Sequence, residues 1–102
     1  MANQIKLKII TPDGIICDKL VDIVIVRTIN GYLGILHGHI PLVSTIIPSK
    51  LKYKINEKEE VYDIQGGILQ TTQDTVKILA DSIILDKERS IKMQRQIKRK
   101  ID

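Results

Sequence analysis

The stretch LKYKINEKEEVYDI, residues 51–64, indicates what kind of fold this chain of 102 residues adopts. Apolar side chains alternate with lysines from Leu51 to Ile55, and a second apolar run returns at 61–64. Strict alternation is typical of a strand with one face buried and the other in water. The polar letters NEKE (56–59) between the two runs predict the turn of an antiparallel hairpin. The chain is therefore expected to be built from short β-strands.

The same kind of pattern extends in both directions from this hairpin. Residues 4–10 alternate strictly, and TPDG (11–14) is a turn in which proline presets φ and glycine tolerates a positive one. The letters IVIV (23–26) are apolar on both faces, which predicts that one face meets the core and the other a second surface. Further strands are predicted at 15–17, within 20–29, after the QGG turn at 65–67, and at 75–81. Short strands punctuated by turns are typical of an antiparallel sandwich or barrel.

The pattern changes at Asp86, where the sequence becomes rich in Lys, Arg, Gln and Glu. These are good helix formers, and Asp86 is suited to the N-cap position. Residues 86–102 hold seven Lys or Arg against three acids, so the net charge of +4 lies in this segment and the rest is neutral. We therefore predict a β domain at 1–84 followed by a single basic α-helix at 85–102. One hypothesis for its function is a nucleic-acid-binding module that uses residues 86–101.

Enzymatic readings of the sequence have little support. His37 and His39 would point the same way on an extended segment, as two zinc ligands could. A structural zinc site requires four ligands, however, and residues 20–56 contain only one Asp, Glu or Cys besides these histidines. A nucleophile pair of Cys17 and His39 lacks a third, orienting group. A small zinc or thiol hydrolase built on these three residues therefore stays a minor hypothesis, and neither a catalytic residue nor a metal ligand is predicted. The single cysteine excludes an intramolecular disulfide, and no apolar run reaches the ~20 residues that span a bilayer.

The segment NGYLGILHGHIPLV (30–43) collects the turn residues of the chain in one place. The dipeptide NG at 30–31 is a strong hairpin signal, Gly34 and Gly38 permit a close backbone approach, and Pro41 ends strand pairing at an edge. Apolar side chains beside this exposed backbone come from Leu33, Ile35 and Leu36. The segment is best interpreted as a surface shaped to contact another molecule.

The letters GYLGILHGHIPLV (31–43) resemble the signature G-x-L-G-I-x-x-G-H-x-P-L of the epsilon subunit of rotary ATP synthase. The TPDG turn at 11–14, the double glycine at 66–67 and the letters ILAD at 78–81 agree with the same family, so the resemblance covers residues 3–90. It implies a two-sheet antiparallel β-sandwich of about ten strands followed by helix. It also implies a non-catalytic subunit of the central stalk that couples ion-driven rotation to ATP synthesis. Such a subunit belongs to the F1 part of the enzyme, peripheral to the cytoplasmic face of an energy-transducing membrane and not inserted in it.

The partners implied by the resemblance are the gamma subunit and the polar loops of the c-ring, with no nucleic acid. Tyr32 stands where the family commonly has an acidic residue, so an aromatic contact with the ring is expected there. The implied interface with the ring and gamma comprises Gly31, Tyr32, Leu33, Gly34, Ile35, His37, Gly38, His39, Pro41 and Leu42.

The segment ILDKERS (84–90) resembles the I/L-D-x-x-R-A stretch by which some bacterial epsilon subunits bind ATP. Asp86 and Arg89 match it, whereas Ser90 replaces the usual alanine. The chain is expected to need no cofactor, with ATP as a candidate regulatory ligand at these two residues. The basic helix is also a candidate for contacts with the beta subunit. Because the second helix of the family's hairpin is expected to be absent, weak or no inhibition of ATP hydrolysis is predicted.

Overall fold

The computed structural model describes residues 3–85, which form ten β-strands. The strands are β1 (Ile5–Thr11), β2 (Gly14–Val21), β3 (Ile23–Thr28), β4 (Gly31–Ile35), β5 (Leu42–Ile46), β6 (Ser49–Ile55), β7 (Lys58–Ile64), β8 (Gly67–Thr71), β9 (Thr75–Ala80) and β10 (Ile83–Leu85). The described part of the chain contains no helix capable of crossing a membrane.

The strands follow the order β10-β7-β6-β3-β5-β8-β9-β1-β2, and β4 pairs with β3 beside this path. Only one residue pair, Thr28 with Ile46, joins β3 to β5. The sheet therefore divides at this joint into a first half-sheet (β10, β7, β6, β3, β4) and a second half-sheet (β5, β8, β9, β1, β2). Buried side chains from both half-sheets belong to one hydrophobic cluster, so the sheet curls around a shared core.

The mostly-β prediction with about ten strands is confirmed. The prediction of two purely antiparallel sheets needs two corrections. Hydrogen bonding runs continuously through the β3–β5 joint, and β1 pairs with β9 in parallel. The parallel pair arises because the first strand enters the second half-sheet beside a strand that lies far along the chain, where no hairpin turn dictates an antiparallel direction.

Alternation along the strands decides which side chains form the core. Ile5, Leu7 and Ile9 of β1 are fully buried, while the lysines between them face outward. In β6, Leu51 and Tyr53 are buried in the same way. Each fully buried side chain of this size contributes about 1.5–3 kcal/mol through removal of apolar surface from water.

One turn and one strand differ from the sequence prediction. The β6–β7 turn uses only Asn56 and Glu57, because Lys58 already pairs with Ile55. Both turn residues have positive φ, 50° and 71°, as a two-residue type I′ hairpin requires. NEKE therefore supplies two turn residues and the first two residues of β7 rather than a four-residue loop. β2 is also longer than predicted, and the pairing register between β1 and β2 shifts after Ile9.

Asp22 joins three segments at one end of the domain. Its Oδ1 accepts a hydrogen bond from Gln4 Nε2 (3.1 Å) and its Oδ2 accepts one from the backbone N–H of Asn56 (2.8 Å). The backbone N–H of Asp22 in turn donates to the carbonyl of Lys54 (2.8 Å). These bonds tie the β2–β3 junction to the β6–β7 hairpin and to the start of the chain.

β10 extends to Leu85, the first residue of the predicted helical segment. The remaining predictions for the C-terminal segment, namely the basic helix, the nucleotide contacts of Asp86 and Arg89 and the nucleic-acid module, lie outside the described residues.

Candidate partner-binding surface

The β3–β4 hairpin carries the first part of the candidate surface. Its turn consists of Ile29 and Asn30, since Thr28 pairs with Gly31, so the turn lies one residue before the predicted NG pair. Gly31 begins β4 with φ of +112°, a conformation that other residues rarely adopt. The buried Thr28 hydroxyl accepts a hydrogen bond from the N–H of Asn30 and donates one to the carbonyl of Gly31. The turn is thus held from beneath by a hydroxyl within the core.

Tyr32 projects from β4 with 63% of its surface exposed. It lies directly across the strand pair from Arg27, whose guanidinium carbon is 5.3 Å from the centre of the tyrosine ring. This cation–π contact orients the ring. Ile29 in the neighbouring turn is also exposed. We call Arg27, Ile29, Asn30 and Tyr32 the turn surface.

Gly34 lies two residues after Tyr32 in β4, and because it has no side chain it leaves the outer face of the sheet uncovered at this position. A Cβ added there would meet only Ile23 Cδ1, at 3.7 Å, which is an ordinary contact distance. The close backbone approach expected from the sequence therefore does not occur within the described chain. The glycine exposes the half-buried Ile23 and its neighbour Ile25 to the outside.

The second part is the loop that joins β4 to β5. The N–H of Gly38 donates to the carbonyl of Gln73 (2.7 Å) in the β8–β9 turn, which anchors the loop on the second half-sheet. The buried Thr71 hydroxyl accepts from the N–H of Leu42 and donates to the carbonyl of Ile40. Ile40 itself is 77% exposed. These anchors hold the loop in place while its apolar side chains face outward.

His39 is half-buried in this loop, and its Nδ1 lies 2.7 Å from the carbonyl oxygen of Ile40. His37 is exposed. The two imidazoles therefore differ in environment and do not form a matched pair of ligands. Among residues 3–85, no group of three or more His, Cys, Asp or Glu side chains lies close enough to hold a metal ion. We call Leu36, His37, Gly38, Ile40, Pro41 and Val43 the loop surface.

The ten interface residues named from the sequence are thus distributed over different environments. Tyr32 is on the turn surface, and His37, Gly38 and Pro41 are on the loop surface, separated from it by β4. Ile35 is fully buried, and Leu33 and Leu42 pack against the core, so these three support the surface from below. Tyr32 lies within β4, whereas His39 lies in the loop that follows it.

A third exposed surface was missed by the sequence reasoning. On the outer face of the second half-sheet, Ile68 pairs across the strands with Leu79, Leu79 with Ile10, and Ile10 with Ile15. Ile68 and Leu79 are 44% and 36% exposed, and Ile15 is more exposed still. We call these four residues the outer apolar row. The signal was present for Ile10, Ile68 and Leu79, because each occupies the outward phase of its strand, as Lys6 and Lys8 do in β1. Ile15 has the phase of the buried Cys17, and only the register shift between β1 and β2 turns it outward.

Cys17 is buried in the core beside Tyr53 and Tyr62. The side chains of Tyr62, Tyr53 and Cys17 interact with one another there. Burial raises the pKa of the Cys17 thiol and of the Tyr53 hydroxyl above their ordinary values. Burial is also the main cause that raises the pKa of the Tyr62 hydroxyl, and the neighbouring Tyr53 side chain adds to it. Cys17 and His39 are not brought together as a nucleophile and a base, because Cys17 faces these tyrosines in the core.

Residues 4–86 match the family of the ATP synthase delta/epsilon chain β-sandwich domain. This match covers most of the chain and all but one of the described residues. The chain belongs to this family, and its curled ten-stranded sheet is the family's β-sandwich.

Within the family, the chain is similar to bacterial epsilon chains, which confirms the resemblance drawn from the sequence. It is 36% identical over 103 residues to the ATP synthase epsilon chain of Bacillus licheniformis, covering 97% of this chain and 79% of that one. It is 40% identical over 80 residues to the epsilon chain of Alkalihalophilus pseudofirmus, covering 78% and 60%. The sodium ion specific epsilon chain of Propionigenium modestum is 36% identical over 83 residues, covering 81% and 61%.

Two solved structures share the fold. A chain of the Euglena gracilis mitochondrial ATP synthase, in a cryo-EM structure of OSCP, F1 and the c-ring, superimposes with a TM-score of 0.78 at 25% identity. The match covers 96% of this chain and 66% of that one. A chain of the Tetrahymena thermophila central stalk and c-ring gives a TM-score of 0.64 at 14% identity, covering 78% and 65%.

Proposed function

We propose that this chain is a non-catalytic subunit of the ATP synthase central stalk, which links the gamma subunit to the c-ring. It couples ion-driven rotation of the ring to ATP synthesis at sites on other subunits. The family membership supports this role, and so does the first structural neighbour, which belongs to a complex of OSCP, F1 and the c-ring.

The observation that carries the proposal is the concentration of exposed apolar side chains on the family signature and the turn just before it. Five of the eleven exposed large hydrophobic residues of the described chain fall within residues 29–43. They are Ile29, Tyr32, Leu36, Ile40 and Val43. Exposed apolar groups that cluster on an anchored segment are typical of a protein interface.

The two parts of the signature suit different partners. The turn surface combines a ring, a guanidinium and an amide, which suits the hydrophilic loops of a c-ring. The loop surface is mostly aliphatic and lies on the second half-sheet, the same half-sheet that carries the outer apolar row. We assign the turn surface to the c-ring and the loop surface with the outer apolar row to gamma.

Further proposals concern the C-terminal segment. We propose that residues 86–102 form the basic helix, that its cations contact the beta subunit, and that Asp86 and Arg89 are candidate contacts for regulatory ATP. The subunit would then act peripherally, on the face of the membrane that carries F1.

Co-purification with the gamma subunit and the c-ring of the same organism tests the proposed role. We expect wild-type chain to co-purify with gamma, Tyr32→Ser to weaken attachment to the ring, and Ile40→Ser to weaken binding to gamma. Ile84→Ser is the matched control, because Ile84 is 65% exposed on β10, outside the proposed interfaces. A correctly folded wild-type chain that fails to bind gamma would contradict the proposal.

A further inference from the structure

The parallel pairing of β1 with β9 places two cations side by side. Lys8 pairs directly with Lys77 on the outer face of the second half-sheet. Like charges directly opposite each other on one face of a sheet are destabilising. Lys6, two residues before Lys8, has a carboxylate partner in Asp18, with Nζ and Oδ1 3.8 Å apart. Within residues 3–85, neither Lys8 nor Lys77 forms such an ion pair, although Asp18 lies directly across from Lys8 on β2.

These lysines surround an open recess of about 220 Å³. Its lining consists of Lys6, Lys8, Thr75, Val76 and Lys77. Three lysines thus border the recess together with Thr75, while Val76 contributes only its backbone there because its side chain is buried in the core. A carboxylate placed there would find several donors and would relieve the repulsion between Lys8 and Lys77.

The recess adjoins the outer apolar row. Ile10 and Leu79 each lie two residues beyond Lys8 and Lys77 on the same strands, which is about 6.6 Å along the sheet. A basic row and an apolar row therefore run side by side across β9 and β1. One partner segment could cover both rows if it carried apolar and acidic side chains in matching positions.

We propose that this basic recess receives a carboxylate-bearing segment of the partner that covers the outer apolar row. The inference rests on the proposed function, in which that partner is the gamma subunit, and it names the chemistry that gamma must present there. The recess then contributes selectivity and steering of association, while the apolar row contributes the buried area.

Charge argues against other occupants. The chain's own residues 86–102 carry seven basic against three acidic side chains and would add to the repulsion. A second copy docked by two-fold symmetry would place Lys8 and Lys77 against the same pair. An anionic membrane gains only about 1 kcal/mol per basic residue, so two unpaired lysines give a weak anchor.

Binding of the full chain to the gamma subunit of the same organism tests the inference. The variant combines Lys8→Glu with Lys77→Glu, which reverses the charge but keeps a like-charged pair. We expect it to bind gamma at least about tenfold more weakly at low salt. The difference should shrink at about 1 M salt, where the screening length is near 3 Å. The matched control combines Lys52→Glu with Lys58→Glu on the first half-sheet, and should bind within twofold of wild type.

The outcomes separate this inference from the proposed function. If folded wild-type chain does not bind gamma, both the proposed function and this inference are refuted. If wild type and the Lys8/Lys77 double variant bind equally well, only the basic recess is refuted. Unchanged gamma binding with a loss of binding to phosphatidylglycerol vesicles would assign the recess to a membrane surface and overturn the inference. The single Lys77→Glu variant checks folding, because it places opposite charges across β1 and β9 and should unfold no more easily than wild type.

Discussion

Glu57 has a backbone conformation that few side chains adopt. Its φ of 71° is required by the two-residue β6–β7 turn, and asparagine at the preceding position tolerates this region better than glutamate does. Glycine is the residue preferred at the second turn position. We therefore expect Glu57→Gly to raise the free energy of unfolding by about 0.5 kcal/mol, since relief of the left-handed strain exceeds the added entropy of the unfolded chain.

Urea denaturation of the purified chain measures this change. Glu59→Gly, two residues along in β7, is the control, because glycine within a strand weakens it. If both glycine variants lost stability equally, the strain assigned to Glu57 would be absent.

At the scale of elements, Cys17, Tyr53 and Tyr62 connect β2 to the β6–β7 hairpin across the core. The rings of Tyr53 and Tyr62 stack with centres 6.0 Å apart. The pKa of each group is raised in the folded chain, mainly by burial, from ordinary values of 9.0 for the thiol and 10.0 for the tyrosines. Folding therefore favours the protonated, neutral forms of the Cys17 thiol and of both tyrosine hydroxyls.

The raised pKa values of these three groups predict how the free energy of unfolding changes with pH. Below about pH 9 both folded and unfolded chains keep these protons, so their contribution to stability is complete. Above pH 9 the unfolded chain releases them first, and the free energy of unfolding should fall as pH rises. Denaturant midpoints from pH 8 to 10.5 measure the slope. Tyr62→Phe should flatten it, whereas Tyr32→Phe, on the exposed turn surface, should not. A stability that stayed level to pH 10.5 would count against buried, neutral groups here.

At the scale of the whole molecule, the outer apolar row is an exposed apolar strip on a sheet whose opposite face is fully packed. Ile68 and Leu79 are neighbours across β8 and β9 and point away from the core. Combining Ile68→Ser with Leu79→Ser removes partly buried surface, so we expect unfolding to become easier by only about 1–2 kcal/mol. Binding to gamma should weaken by at least tenfold, because apolar residues at the centre of an interface dominate its energy.

Titration of the folded double variant against gamma measures this loss, with circular dichroism as the check on folding. Ile84→Ser again serves as the control. Wild-type affinity in the double variant would mean that gamma binds elsewhere on the sandwich.

The sequence predicted the local features well. Alternation identified Ile5, Leu7, Ile9, Leu51 and Tyr53 as inward-facing, and the structure buries all five. The doubly apolar β3 was also predicted correctly as a strand with one face in the core and an apolar second face. These features depend on neighbouring residues alone, because the two-residue period of a strand fixes which face each side chain takes.

The sequence by itself therefore determined the β class, the phase of the core and the segment that carries the family signature. Tertiary structure decided the parallel β1–β9 pairing, the separation of Tyr32 from the loop surface and the removal of Ile35 into the core. It also brought Ile10, Ile68 and Leu79 into one row. Each of these depends on which strands become neighbours after distant parts of the chain pack together, and no local pattern of residues encodes that choice.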